Sequence, residues 1–171
     1  CGGEGGGLAT AQGEGGLRTQ GNFKASLEVK TLITIVTVVY NGEQFLEETI
    51  LSVINQTYEN VEYLIIYGGS TDGTVEILEQ YINTIDYWVS EPDRGIYDAM
   101  NKGIRAATGD IIGILNADDW YEDDTVAVSV GALQSDQYDY SYGSIKYHRL
   151  IKLVEVYHKA IFLTTCLTCY L

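Results

Sequence analysis

D-A-M-N-K-G-I-R-A-A-T-G-D-I-I-G-I-L-N-A-D-D-W-Y, Asp98 to Tyr121, decides how the chain is read. Its spacing predicts a helix, a glycine stop, a buried strand, and adjacent carboxylates where the strand ends. Asp118 and Asp119 follow the apolar run Ile111, Ile112, Ile114 and Leu115, so the strand delivers them to one edge of a sheet. In open α/β sheets ligands bind outside the carboxyl ends of the strands, which makes that edge the expected site. Two neighbouring carboxylates repel unless a cation or a sugar hydroxyl lies between them. An all-oxygen donor set suits Mg²⁺ or Mn²⁺ carrying phosphate oxygens. The competing reading is that Asp118, Asp119, Asp123 and Asp124 cap the next helix, a role Asp favours.

Outward from this stretch, apolar runs alternate with helical periodicity. Leu32 to Val39, rich in Ile, Val and Thr, predicts a buried strand. Glu43 to Gln56 sets Leu46, Ile50, Val53 and Ile54 on one helical face. Val61 to Ile66 predicts a second strand, followed by Gly68–Thr74 and a helix to about Tyr81. Tyr87 to Ser90 is a short strand, and Ile96 to Ala107 a helix expected to close with Gly109 at C′. Ile111 to Leu115 is the next strand, Asp124 to Leu133 another helix, and Tyr138 to Tyr157 a hairpin. Strands and helices in this alternation imply βαβ units, an α/β fold and a mostly parallel sheet. Residues 1–29 are glycine-rich without periodicity and are expected to be disordered, leaving 30–171 as the domain. The chain opens without Met, as a tag, a read-through or a fragment boundary would.

At 171 residues the chain is long enough for one domain with a sizeable core. A net charge of −14 argues against nucleic acid or anionic lipid as a direct partner. A phosphorylated donor remains compatible if a metal supplies positive charge locally. The longest apolar run, Leu32 to Tyr40, is too short to span a bilayer. No basic n-region with an apolar h-region opens the chain, so no secretory leader is expected. Cys1, Cys166 and Cys169 leave the core without cysteine, which fits a reducing cytosol and a cytoplasmic protein. Cys166-x-x-Cys169 lacks the second ligand pair of a zinc site and the strand-to-helix setting of a redox motif.

Three loops bear on chemistry. Gly68 to Thr74 is small, polar and opens a helix, where an anion could sit, but it lacks the Lys of a P-loop and is not G-x-G-x-x-G. A plain βα turn explains it equally. Val39-Tyr40-Asn41-Gly42 could set a ring or an amide against a base, or be an ordinary N-G turn. Arg94 is one of few cations near the expected site and could meet a phosphate through its guanidinium fork, or be a surface residue beside a helix cap. Of the fourteen tyrosines most serve β propensity and packing. Tyr40, Tyr67, Tyr97 and Trp120 stand where strands end.

The order of these pieces resembles the family 2 glycosyltransferases of the GT-A fold, particularly bacterial enzymes that build surface polysaccharides. The matching blocks are T-V-V-Y-N-G-E (Thr37–Glu43), N-Q-T-Y (Asn55–Tyr58), G-G-S-T-D-G-T (Gly68–Thr74), S-E-P-D-R-G-I-Y-D-A-M-N-K-G-I (Ser90–Ile104) and A-T-G-D-I-I-G-I-L-N-A-D-D-W-Y (Ala107–Tyr121). The resemblance covers about Thr31 to His148. It implies a Rossmann-like three-layer sandwich that binds nucleotide-diphospho-sugars. Val39, Tyr40 and Asn41 would line the nucleotide pocket, with Tyr67 and Gly68 beside it and Arg94 near the nucleotide or its phosphates. Asn116-Ala117-Asp118 stands at the family's D-x-D motif, with Asn in place of the first Asp. Asp118, with Asp119 beside it, would bind the ribose and the Mn²⁺ or Mg²⁺ that bridges the diphosphate. The implied reaction is a direct displacement with inversion, and the acceptor a saccharide or a lipid-linked saccharide. Uridine diphosphate sugars are the expected donors, and the cytoplasmic face of the inner membrane is the expected place of work.

Two departures bear on activity. The family carries Asp before G-G-S-T-D-G-T, where its carboxylate contacts the base or ribose, and this chain has Tyr67. A phenol pointing into the pocket would leave donor groups unpaired, at about 1–3 kcal/mol. The acceptor-side residues and the usual catalytic carboxylate come well after the D-x-D region, and no residue here matches that base. The resemblance therefore implies an incomplete acceptor part, and a non-catalytic fragment that binds nucleotide weakly, or serves as an interaction module, is the alternative. A Mg²⁺-dependent phosphatase would need a nucleophilic Asp where Asn116 stands.

Overall fold

The computed structural model describes residues 13–27, 30–133, 140–145 and 158–164. Seven strands form one sheet, among the described residues: β1 Gly13–Gly15, β2 Ile33–Val39, β3 Val61–Tyr67, β4 Tyr87–Ser90, β5 Ile111–Asn116, β6 Tyr140–Ile145 and β7 His158–Thr164. Their order across the sheet is β1-β4-β3-β2-β5-β7-β6. The central four run parallel, while β1, β7 and β6 each pair antiparallel to their neighbours. β2 and β3 are buried along their whole length, as β-branched runs in a two-sided parallel sheet should be. Helices α1 (Leu46–Ile54), α2 (Thr74–Tyr81) and α4 (Thr125–Leu133) share the core on one face, and α3 (Ile96–Ala106) covers the other.

The chain builds outward from β2 through β3 to β4, then returns to place β5 on the opposite side of β2. That reversal is the topological switch point, where a crevice opens outside the carboxyl ends. The registers Val39↔Tyr67, Tyr67↔Ser90 and Val38↔Asn116 align the four strand ends along one edge. The sequence-expected carboxylates therefore stand at the crevice.

Three expectations change. The glycine-rich segment within 13–27 is not free: β1 adds to β4, and a 3₁₀ turn at Leu17–Gln20 follows. Its composition hides two cations with buried partners. Arg18 pairs with Glu62 at 3.3 Å and lies 4.9 Å over the Tyr87 ring. Lys24 pairs with the buried Asp86 at 2.8 Å. Residues 1–12 and 28–29 lie outside the described residues. Second, Gly109 is not a left-handed C′. α3 ends at Ala106 and Ala107 is extended, and Gly109 is needed because a Cβ there would meet Leu32 O and Thr34 N at 2.7 Å. Third, the hairpin pairs β6 with β7, so its second arm lies later than Tyr157. Cys1, Cys166 and Cys169 are outside the described residues.

Candidate functional site

Two loops at the ends of β2 and β3 are tied into one ledge. Asn41 takes φ 52°, a left-handed conformation that Asn tolerates better than most residues. Its N–H donates to Ser70 Oγ at 3.0 Å, and its Oδ1 accepts the Thr71 N–H at 2.8 Å. Gly42 N–H donates to Thr74 Oγ1 at 2.8 Å, and Glu43 N–H to Asp72 Oδ2 at 3.0 Å. Asn41 thus spends its carbonyl on the loop that follows β3. Val39 contributes backbone only: its side chain is in the core, and its carbonyl accepts the Gly68 N–H at 3.3 Å. Tyr40 is exposed.

The loop after β5 is held from beneath by α1. The Thr49 hydroxyl lies 3.0 Å from Ala117 O, 2.8 Å from Asp119 O and 3.4 Å from Phe45 O. Tyr121 N–H donates to Ser52 Oγ at 3.2 Å. Gln56 Nε2 donates to Glu122 O at 2.8 Å and to Ser52 O at 2.9 Å, while its Oε1 accepts the Val126 N–H at 2.9 Å. That amide caps α4 from outside its own chain segment. Asp118 and Asp119 stand well before Thr125, where α4 begins, and do not cap it, whereas Asp124 immediately precedes the helix and its carbonyl accepts the Val128 N–H at 2.9 Å. Sequence reading missed Thr49, Ser52 and Gln56. Gln56 did fall within N-Q-T-Y, but nothing local in Thr49 marks it apart from an ordinary buried helix residue.

Asn116 is half-buried, Ala117 is buried, and Asp118 and Asp119 reach solvent. Asp119 N–H donates to Asn116 O at 3.1 Å, and Asn116 Nδ2 lies 3.4 Å from Asp119 Oδ2. Desolvation, and then the charge of Asp118, push the Asp119 carboxyl above its usual range, against the opposing pull of the Asn116 amide. Asn116 Oδ1 is buried with no hydrogen-bond partner. An orphaned amide oxygen beside two mutually repelling carboxylates fits a hard divalent cation. No group of three or more His, Cys, Asp or Glu able to hold a metal occurs among the described residues. The set thus resembles Mg²⁺-type sites, where one or two carboxylates share the ion with substrate phosphates.

Tyr67 does not line the crevice. Strand alternation sends residues 63, 65 and 67 to the α1–α2 face, and Tyr67, 1 % exposed, packs against Val75, Leu78 and Trp88. Gly68 does reach the edge, with the Asp93 carboxylate lying over it. Arg94 is exposed, and its backbone N–H donates to Asp98 Oδ2 at 3.1 Å. That bond, with the charges of Lys102, Arg94 and Arg105, holds the Asp98 carboxyl below its usual range.

Residues 34–165 match the sequence profile described as Glycosyl transferase family 2. An uncharacterized glycosyltransferase of Mycobacterium tuberculosis is 40 % identical over 103 residues, covering 59 % of this chain and 39 % of the relative. TuaG of Bacillus subtilis, provisionally named a teichuronic acid biosynthesis glycosyltransferase, is 34 % identical over 99 residues, 56 % of this chain and 39 % of TuaG. Among solved structures, the mannosyltransferase PcManGT of Pyrobaculum calidifontis, in complex with GDP-Man and Mn²⁺, superposes with a TM-score of 0.63 at 26 % identity. It covers 70 % of this chain, and 37 % of PcManGT is matched. The chain thus spans about two fifths of each of these proteins. The architecture is the GT-A sandwich expected from the resemblance. No helix among the described residues is long and apolar enough to cross a membrane.

Proposed function

This chain belongs to glycosyl transferase family 2, and from that premise we propose that it moves a sugar from a nucleoside-diphosphate donor to a saccharide or lipid-linked acceptor, with inversion. The observation that carries this reading is the acidic loop at the switch point, where Asp118 and Asp119 follow Asn116, whose Oδ1 is unspent and whose Nδ2 lies 3.4 Å from Asp119 Oδ2, at the same sheet edge as the Asn41 ledge. Asn116, Asp118 and Asp119 would hold Mn²⁺ or Mg²⁺, which when bound offsets charge on the departing nucleoside diphosphate. Tyr40 offers an apolar ring face to the base, and the exposed Arg94 a guanidinium fork to a phosphate oxygen. Thr49 and Gln56 fix the acidic loop, so those carboxylates need not be reorganised when the donor arrives. The GDP-Man and Mn²⁺ held by PcManGT support the donor class and the metal, and TuaG's name supports a place in polysaccharide biosynthesis. The reading puts the work in the cytoplasm, at the inner face of the membrane where lipid-linked acceptors sit.

The test is a thermal-shift panel of nucleoside diphosphates with and without Mn²⁺, on the native chain and on Asp118→Ala. A ligand at a hundred times its Kd stabilises the fold by about 2.7 kcal/mol, so modest affinity registers. The expected result is a Mn²⁺-dependent shift that Asp118→Ala abolishes. A nucleotide shift indifferent to both metal and Asp118 would sink the metal assignment.

A further inference from the structure

Resting on the donor-site reading above, we infer that Asp93 selects the donor's base, its uncommitted carboxylate oxygen accepting the imide N–H of a uracil-type ring. Gly68 is the first residue past β3 and lies on the crevice edge, next to the β2 end whose carbonyl takes its N–H. The half-buried Asp93, from the loop between β4 and α3, fills the volume that any side chain at 68 would occupy. A Cβ on Gly68 would collide with Asp93 Oδ2, and Asp93 Cγ lies 3.3 Å from that point. The absence of a side chain on Gly68 leaves room for the Asp93 carboxylate, which a side chain there would displace.

That carboxylate is aimed. Oδ1 accepts the Gly95 N–H at 2.9 Å, and Gly95 holds φ 111°, a conformation open to glycine. Oδ2 has no donor among the described residues and faces the Gly68 edge. An ionised carboxylate only accepts hydrogen bonds. It therefore favours a base whose edge presents a ring N–H and opposes cytosine and adenine, whose ring nitrogens there are lone-pair acceptors. With one oxygen already committed to Gly95, a single imide donor matches better than the paired N–H groups of guanine. Tyr67 is turned into the core, so the carboxylate that the end of β3 lacks in sequence is supplied in space by Asp93.

The experiment titrates UDP, CDP, ADP and GDP, each with Mn²⁺, against the full chain and against D93A, D93N, D118A and the exchange variant G68D/D93G. D93N retains an oxygen for Gly95, so a folding defect confined to D93A leaves the question answerable. The native chain should favour UDP over CDP and ADP by at least tenfold. Loss of a charged hydrogen bond predicts a weakening of about tenfold or more for UDP in D93A and D93N, with CDP unchanged. The exchange variant, which returns a carboxylate to the same volume from β3, should recover most of the UDP preference. Equal losses for UDP and CDP, or a native preference for another base, would overturn the role of Asp93. UDP binding that survives D93A and D93N but not D118A removes Asp93 and leaves the donor site standing. Silence of the native chain toward every nucleotide removes both.

Discussion

Replacing Arg18 with Ala tests whether the glycine-rich segment belongs to the fold. Glu62, near the start of β3, is 1 % exposed. It accepts the Thr34 hydroxyl at 2.6 Å, the Thr108 N–H at 2.9 Å and the Thr108 hydroxyl at 2.7 Å, and Arg18 supplies the charge at 3.3 Å. Removing one member of a buried ion pair costs about 3–5 kcal/mol, because the other charge is stranded. Three neutral donors remain on Glu62, and the Arg18 side chain is 18 % exposed, so the expected loss falls to about 2–3 kcal/mol. The stacking of Arg18 over Tyr87 adds about 0.5–1 kcal/mol of that total. In a chain of this length the melting temperature should drop by roughly 4–12 °C. Guanidinium unfolding of R18A, E62Q and the double variant closes the cycle. A neutral amide in place of the Glu62 carboxylate no longer needs the cation. R18A should therefore cost far less in the E62Q background, with a coupling of at least about 1 kcal/mol. A loss in R18A under about 0.5 kcal/mol, or additive single changes, would refute a docked segment.

Thr49→Val keeps the volume of the side chain but removes the one hydroxyl proton that the carbonyls of Ala117 and Asp119 share. Denaturant unfolding should register a loss of about 1–3 kcal/mol, Mn²⁺-dependent nucleotide binding should weaken, and Thr49→Ser should restore both. Asp119 carries a raised carboxyl, so the metal-free folded state binds that proton more tightly than the unfolded chain does. Between the ordinary and the raised value the slope of stability against pH is therefore negative. Metal-free stability should fall as pH rises through that window and level off above it, while metal binding moves the opposite way. Asp119→Asn should flatten the first profile, and an unchanged profile would show the carboxyl is not perturbed. Tyr67→Asp should not tighten nucleotide binding. It empties a packed aromatic site and buries a carboxylate, so calorimetry should report a destabilisation of at least about 3 kcal/mol.

What the residues disclosed and what they hid follow from how far each signal travels along the chain. Periodicity is local, and β2, β3, β4 and β5 were legible because Ile, Val and Thr runs with short helical intervals admit few arrangements. The acidic edge was legible for the same reason, since a strand must deliver whatever follows it to the sheet's end. The errors come from partners distant in sequence. The segment holding Arg18 reads as disordered because glycine supplies no apolar face, and its stabilising groups are Glu62 and Asp86, far along the chain. Gly109 read as a helix stop is in fact room for the backbone of β2.

Tyr67 carries this furthest. Compared with a family pattern it is a missing carboxylate, a defect at a binding position. In three dimensions strand alternation turns its ring into the core, so it neither blocks the crevice nor reports on the base. Whether an acidic group stands over the end of β3 depends on Asp93, from the loop after the next strand, and on Gly68 having no side chain to exclude it. Asp93 reaches the end of β3 from the loop after β4, so its place over Gly68 shows only in three dimensions. If Asp93 reads the base as inferred, the competence of the proposed donor site turns on the Gly68–Asp93 pair, and the substitution at Tyr67 alone does not decide it.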